Sequence, residues 1–449
     1  MKNYAIVLAA NDESRMRSPI SRALHKLAGR EMIHYVLDGL KDVALDETLM
    51  TVRKSQAEAF RAVVGEEVRV IDVLDGEGSM TPVEQLARIV SELVDCDGYT
   101  FVLMDNQVFI DPSYLAELHQ GIKKTNARVG TATWLDISRY EDAIPMEQSQ
   151  EYFFKVDDEN EEYIQKALTS VGLPIYCFQT AALVESLRVS PEKMPTSLNE
   201  CVIDWAKKEG AISMTMPPGV DNIIEDLITL DDRERELRSH INDRHMSAGV
   251  RMLDAWTTYI DYDVTIAPGV TIYPGNFIEG KSHIGADAVL LQGNYIENSV
   301  VGDGARVGPY AHLRPHTTLG AGCRVGNFIE LKNITVGDGA KIPHLSYCGD
   351  GSIGARSNIG CGVIFSNYDG VNKMRTEVGE GVFVGCNSNL VAPVTVGDGA
   401  YIAAGSTITE DVPDGALGIA RSRQKVSEGW AKTKSPITRA RTEKAEKEK

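Results

Sequence analysis

Up to residue 226, short apolar runs (Ala5–Ala10, Arg69–Leu74, Thr100–Met104, Ile175–Phe178) alternate with stretches of helical period such as Val83–Val94 and Pro112–Lys123. Apolar runs separated by amphipathic helices mark βαβ units, so the pattern predicts an α/β domain with a mostly parallel, doubly wound sheet. From Leu227 to His245 it gives way to dense charge, with Asp-Asp-Arg-Glu-Arg-Glu-Leu-Arg at 231–238. Such a stretch has little apolar surface to bury and suits a solvated connecting helix.

From Val264 the pattern changes again, into aliphatic residues followed by glycine: Ile284, Val301, Val307, Leu319, Val325, Val336, Ile353, Ile359, Val378, Val384 and Val396. Steps of 6 and 12 dominate the central series. One inward aliphatic per hexad, with small residues at the corners, predicts a parallel β-helix. From Val301 onward three steps break the period: 11 from Val325 to Val336, 17 from Val336 to Ile353, and 19 from Ile359 to Val378. Their extra or missing residues are assigned to turns or loops, and these intervals hold His344 and Ser366–Lys373. Loops on a rigid scaffold commonly carry function. The predicted division is a domain at 1–226, a linker helix at 227–250, the β-helix at 251–430 and a charged, mobile tail at 431–449.

Composition narrows the partners. A chain of 449 residues is too long for one core, since single cores stop growing near about 250–300 residues. With 64 acidic against 46 basic residues the formal charge is −18. That balance argues against nucleic acid or an anionic membrane and leaves small anions held by a local basic pocket. The apolar run at the start is too short for a signal peptide, and no run approaches the ~20 residues of a membrane span, so a cytoplasmic protein is predicted. Seven cysteines without paired close spacing read as reduced thiols, with neither a disulfide framework nor a metal site.

The richest chemistry lies at His344-Leu-Ser-Tyr-Cys-Gly-Asp350, Asn358-Ile-Gly-Cys-Gly362 and Ser366-Asn-Tyr-Asp-Gly-Val-Asn-Lys373. One histidine amid amides, tyrosine and lysine on a rigid scaffold suggests proton abstraction from a polar, anionic substrate. Arg314, Lys332 and Lys373 can supply positive charge for such a substrate in an otherwise acidic protein.

These residues carry a resemblance. Leu313-Arg-Pro315, Val325-Gly-Asn-Phe-Ile-Glu-Leu-Lys332, His344-Leu-Ser-Tyr347, Asn367-Tyr-Asp-Gly370, Leu390-Val-Ala-Pro-Val-Thr-Val-Gly397, Ile402-Ala-Ala-Gly405 and Glu428-Gly-Trp430 are closely similar to the bacterial bifunctional N-acetylglucosamine-1-phosphate uridyltransferase/glucosamine-1-phosphate N-acetyltransferase family. The resemblance runs over nearly the whole chain. It implies a Rossmann-like nucleotide-diphospho-sugar transferase domain, a connecting helix and a left-handed parallel β-helix. It further implies His344 as general base, with Arg314, Lys332, Tyr347, Asn358 and Lys373 holding glucosamine-1-phosphate. Asn367, Tyr368, Ala404 and Arg421 would line the path of acetyl-CoA, the co-substrate. The backbone N–H at Cys361 would receive the oxyanion. Cys361 stands where the family usually has alanine and Cys386 where it usually has serine, which implies a retuned rate.

The N-terminal half departs from the same family. The phosphate loop Leu-Ala-Ala-Gly-x-Gly-Thr-Arg-Met reads Leu8-Ala-Ala-Asn11-Asp-Glu-Ser-Arg-Met16 here, and the following Pro-Lys reads Ser21-Arg22. Both glycines have gained side chains, and Glu13 puts a carboxylate where phosphates pass. The Gly-Asp whose aspartate binds magnesium is Asp105-Asn106, and the second metal position falls at or near Leu227. The nucleotide and sugar contacts survive only as Gly76–Thr81 and Ser170-Val-Gly172. An amide is a poor ligand for a hard dication.

The resulting reading is an acetyl-CoA-dependent glucosamine-1-phosphate N-acetyltransferase fused to a silent uridyltransferase-like domain. By resemblance it is a homotrimer serving UDP-N-acetylglucosamine and cell-wall synthesis, with magnesium needed only if the N-terminal site works. The alternatives are a fully bifunctional enzyme, an acetyltransferase for another amino sugar, and a non-enzymatic nucleotide-sugar-binding or trimeric scaffold protein.

Overall fold

The computed structural model describes residues 2–10, 14–75, 80–133, 144–145, 151–157, 161–162, 164, 175–189, 193–215 and 223–447. The chain forms two compact units: Met1–Asp243 with Ile260–Asp263, and Arg244–Tyr259 with Val264–Lys449.

The first unit is built on a nine-stranded sheet. Its order is Val68–Leu74, Glu47–Arg53, Tyr4–Leu8, Tyr99–Met104, Ile175–Gln179, Val129–Thr133, Ala211–Thr215, Glu151–Phe154, Ile144–Pro145. Tyr4–Leu8 is buried along its whole length and pairs in parallel with both neighbours, which accounts for its unbroken apolar sequence. Helix Pro82–Ile89 begins with a reciprocal Thr81–Glu84 capping box, and Asp111 caps Pro112–Thr125.

Parallel pairing is confined to part of this sheet. Ile175–Gln179 runs antiparallel to both neighbours, and Glu151–Phe154 antiparallel to Ala211–Thr215. A strand buried on both faces reads as the same apolar run in either direction, so the sequence pattern gave the strand but not its sense. Leu8 lies beside Met104 in register, which brings Asp105 and Asn106 to the carboxyl edge of the parallel strands, where open α/β sheets bind ligands.

Helix Leu227–Ser247 replaces the charged stretch. In the second unit, two- to four-residue parallel strands stack into three faces of a left-handed β-helix. Two longer strands, Glu330–Val336 and Tyr347–Ile353, turn a corner and join two of the faces. Each aliphatic residue of the aliphatic–glycine series is buried. The glycine after it packs tightly against a neighbouring coil, as at Gly354, where a side chain would overlap the Gly379 carbonyl, and at Gly326, where it would overlap that of Pro343.

Only one of the three off-period steps is a loop. Val336 pairs with Ile353, so the step of 17 is one whole coil, with Ile342 inward and Pro343 in the place of the expected glycine. The short step of 11 leads into that same coil. His344 thus ends a strand, Lys341–His344, and does not lie in an irregular loop. By contrast Ile359 pairs with Val384, 25 residues on, whereas Val384 pairs with Ile402, 18 residues on. The excess is the excursion Asn367–Lys373, which leaves the coil and closes by an isolated bridge between Tyr368 and Lys373. The charged tail carries two helices, Trp430–Lys434 and Pro436–Lys447, for which the sequence pattern gave no element.

Candidate active site

The β-helix register sorts the predicted residues into two columns. Asn327 pairs with His344 on successive coils, and Lys341 with Asn358. Carrying that register forward sets Cys361, Cys386 and Ala404 above His344, tied by Asn387 N–H to the Cys361 carbonyl (2.8 Å) and Gly405 N–H to the Cys386 carbonyl (2.8 Å). Asn358 sits three residues before Cys361 on the same face, and Arg421 follows the last rung, where Leu417–Gly418 pairs with Tyr401–Ile402. His344 is exposed, and its Nδ1 lies 2.6 Å from Asn327 Oδ1.

The second column is basic. Arg314, Lys332 and Lys373 line one cavity of about 660 Å³, together with Glu297, Pro315, His316, Asn333, Asp350 and Arg375. The Lys373 ammonium, with Arg314 behind it, holds Lys332 below the usual lysine range. Two ammonium groups in contact repel unless an anion joins them. Arg314 is balanced by Glu330 at 2.8 Å and Arg375 by Glu377 at 2.8 Å. Asp350 receives the amides of Asn333 (2.7 Å) and Asn367 (2.6 Å), and Asn367 also reaches the Tyr347 hydroxyl at 3.3 Å. This fixes the start of the excursion beside Tyr347. Within it, Asp369 accepts the N–H groups of Val371 and Asn372, which holds its carboxyl below the usual range. Tyr368 stays exposed, its hydroxyl bonded to the Gly370 carbonyl.

Arg314, Lys332 and Lys373 therefore gather around one cavity, whereas His344 ends a strand of another sheet, Cys361, Cys386 and Ala404 lie in the turns after successive rungs, and neither these four nor Tyr347 and Asn358 are among its lining residues. Sequence reasoning missed Asn327, Glu297, His316, Asp350 and Arg375. The signal for Asn327 was its spacing: it stands one 17-residue coil before His344.

In the first unit, Arg22 Nη2 contacts Asp105 Oδ1 at 2.6 Å, and both side chains are almost fully buried. Arg15 pairs with Glu225 and lies 4.0 Å from Asp226. Leu227 is an exposed helix-start residue, so the polar groups at this point are Glu225 and Asp226 instead. Asp226 accepts the N–H groups of Ile228 and Thr229, capping the helix, and these donors hold its carboxyl below the usual range. Asn11–Glu13, Gly76–Ser79 and Ser170–Gly172 lie outside the described residues.

Comparison with known proteins places both halves. A MobA-like NTP transferase domain matches residues 5–188, and bacterial transferase hexapeptide repeats match 298–328 and 375–410. The "Bifunctional protein GlmU" of Listeria monocytogenes serotype 4a (strain HCC23) is 35% identical over 457 aligned residues, covering 96% of this chain and 98% of the relative. Those of Brevibacillus brevis (35%; 94% and 96%) and Clostridioides difficile (34%; 97% and 98%) match similarly. The chain belongs to the GlmU family.

Within GlmU-type chains, magnesium is the group the resemblance attaches to the N-terminal site. At the first of its two positions the residues do not fit it. Asp105 is engaged by Arg22, and Asn106 offers a neutral amide whose Oδ1 is buried without a hydrogen-bond partner among the described residues. A small, strongly hydrated dication needs carboxylate charge to shed its water. No helix among the described residues is long and apolar enough to cross a membrane.

Proposed function

We propose that the β-helix unit transfers the acetyl group of acetyl-CoA to the amine of glucosamine-1-phosphate, and that the N-terminal unit does not transfer uridylate. The observation that carries the first part is the close Lys332–Lys373 pair beside Arg314 in one cavity. In an acidic protein, adjacent cations with an incomplete set of counter-charges suit a phosphate.

His344 takes the proton as the amine attacks the acetyl carbon. The oxyanion forms opposite the backbone N–H of Cys361, which a change of side chain leaves in place. The thiolate of CoA leaves along the column of Cys386, Ala404 and Arg421, with Asn367 and Tyr368 at its side. Asn358 and Tyr347 would orient the sugar. The base column and the phosphate cavity lie on different sheets of one chain, so a neighbouring copy would bring them to one substrate, which favours a homotrimer with shared sites. The product would feed UDP-N-acetylglucosamine synthesis in the cytoplasm.

The silence of the first unit rests on both candidate phosphate cations being engaged: Arg22 by Asp105, and Arg15 by Glu225. The name its relatives share favours a second reading, full bifunctionality. Assays on the full chain separate them. CoA release with glucosamine-1-phosphate, without pyrophosphate release from UTP, N-acetylglucosamine-1-phosphate and magnesium, supports the proposal; pyrophosphate release at a comparable rate supports the second reading. Absence of CoA release would remove the acetyltransferase assignment.

A further inference from the structure

We infer that Asn327 is a positioning residue that fixes which nitrogen of His344 is the base; this rests on the reading of His344 given above. Gly326 lies so close to the next coil that a β-carbon would overlap the Pro343 carbonyl, so the absence of a side chain there lets the two strands pair beside Asn327. Asn327 and His344 are register partners there, and the Asn327 carbonyl also accepts the N–H of Leu345 (3.1 Å). Phe328 and Leu345, the residues after each, adopt the left-handed conformation (φ 55° and 49°), which a bulky side chain enters only at a cost. The corner is repeated on both coils, so both side chains leave the prism at the same point.

There Asn327 Oδ1 stands 2.6 Å from His344 Nδ1. With a carbonyl oxygen as its neighbour, Nδ1 must carry the hydrogen and donate it. In neutral imidazole the lone pair then belongs to Nε2, turned away from Asn327. A ring free to exchange tautomers would present an N–H to the amine for part of the time and could not accept its proton. No carboxylate lies within hydrogen-bonding distance of His344 among the described residues, so the acceptor is neutral, and the imidazolium formed in the reaction is not trapped by an adjacent negative charge.

The test compares Asn327→Ala and Asn327→Asp with wild type and His344→Ala in the full chain, following CoA release from pH 5.5 to 9. Asn327→Ala is expected to lower kcat on the order of tenfold to a hundredfold, the range for partners that orient a histidine, with the KM for each substrate within about twofold. Asn327→Asp keeps the acceptor but adds charge, so it should recover most of kcat while moving the acid limb of kcat/KM up by about one pH unit. Unaltered kcat in Asn327→Ala, or an acid limb in Asn327→Asp that coincides with wild type, would overturn the inference while His344→Ala remains inactive. A fully active His344→Ala would instead overturn the base assignment itself.

Discussion

Arg22 and Asp105 form a buried ion pair, 2.6 Å apart, at the carboxyl edge of the first unit's parallel strands. Burying two charges is tolerable only while they satisfy each other. Arg22→Ala should therefore destabilise the chain by about 3–5 kcal/mol, whereas the double change Arg22→Met with Asp105→Leu should come within about 1–2 kcal/mol of wild type. Urea unfolding followed by circular dichroism measures both. A double variant as unstable as Arg22→Ala would show that the pair does not account for the loss.

The paired cations in the β-helix cavity give a separate expectation. Lys332→Ala or Lys373→Ala should raise the KM for glucosamine-1-phosphate on the order of tenfold, as for a hydrogen bond to a charged group, and leave the KM for acetyl-CoA unchanged. Lys373 holds the Lys332 ammonium below the usual lysine range. As pH rises through that lowered value the cation is lost, so sugar-phosphate affinity should fall at a lower pH than an ordinary lysine would dictate. Lys332→Arg, which stays charged, should remove that alkaline fall. Equal effects on both substrates would contradict the assignment.

Acid stability follows from two histidines outside both sites. His119 packs edge-on against Tyr99 and Phe101, and burial pushes both it and His245 down to about 4. A depressed value means the folded state favours the neutral ring. The stability this contributes is complete above pH 6.5 and is lost as pH falls towards and through about 4. At about 1.4 kcal/mol per unit, reduced for partial solvation, each accounts for up to about 2 kcal/mol. His119→Phe and His245→Phe should flatten the fall in urea midpoint between pH 7 and pH 4; an unchanged slope in both would sink the prediction.

The excursion Asn367–Lys373 should depend on its anchor. Asn367 ties it to Asp350 and Tyr347. Asn367→Ala leaves the Asp350 carboxylate with one amide fewer and should weaken binding of both substrates, since the excursion carries Tyr368 and Lys373. Isothermal titration with each substrate would show it; unaltered affinity for both would mean that the anchor is dispensable.

Much of this architecture was legible because it is written locally. The aliphatic–glycine pairs report an inward side chain and a tight corner at once, and each aliphatic residue is buried. Strand direction in the first unit was not, because Ile175–Phe178 is apolar on both faces. The step of 17 hid the rung at Ile342 because Pro343 stands where a glycine was expected after it. In the site, Lys332 and Lys373 could be grouped by motif, but the Asn327–His344 bond depends on coil length. The Arg22–Asp105 pair joins residues 83 apart and leaves no local trace.

The most direct measurement is the rate of CoA release by His344→Ala, with acetyl-CoA and glucosamine-1-phosphate saturating and folding verified. Removing a general base should reduce kcat by about 10²–10⁴-fold with little change in substrate affinity. A rate equal to that of the unaltered chain would mean that His344 is not the base.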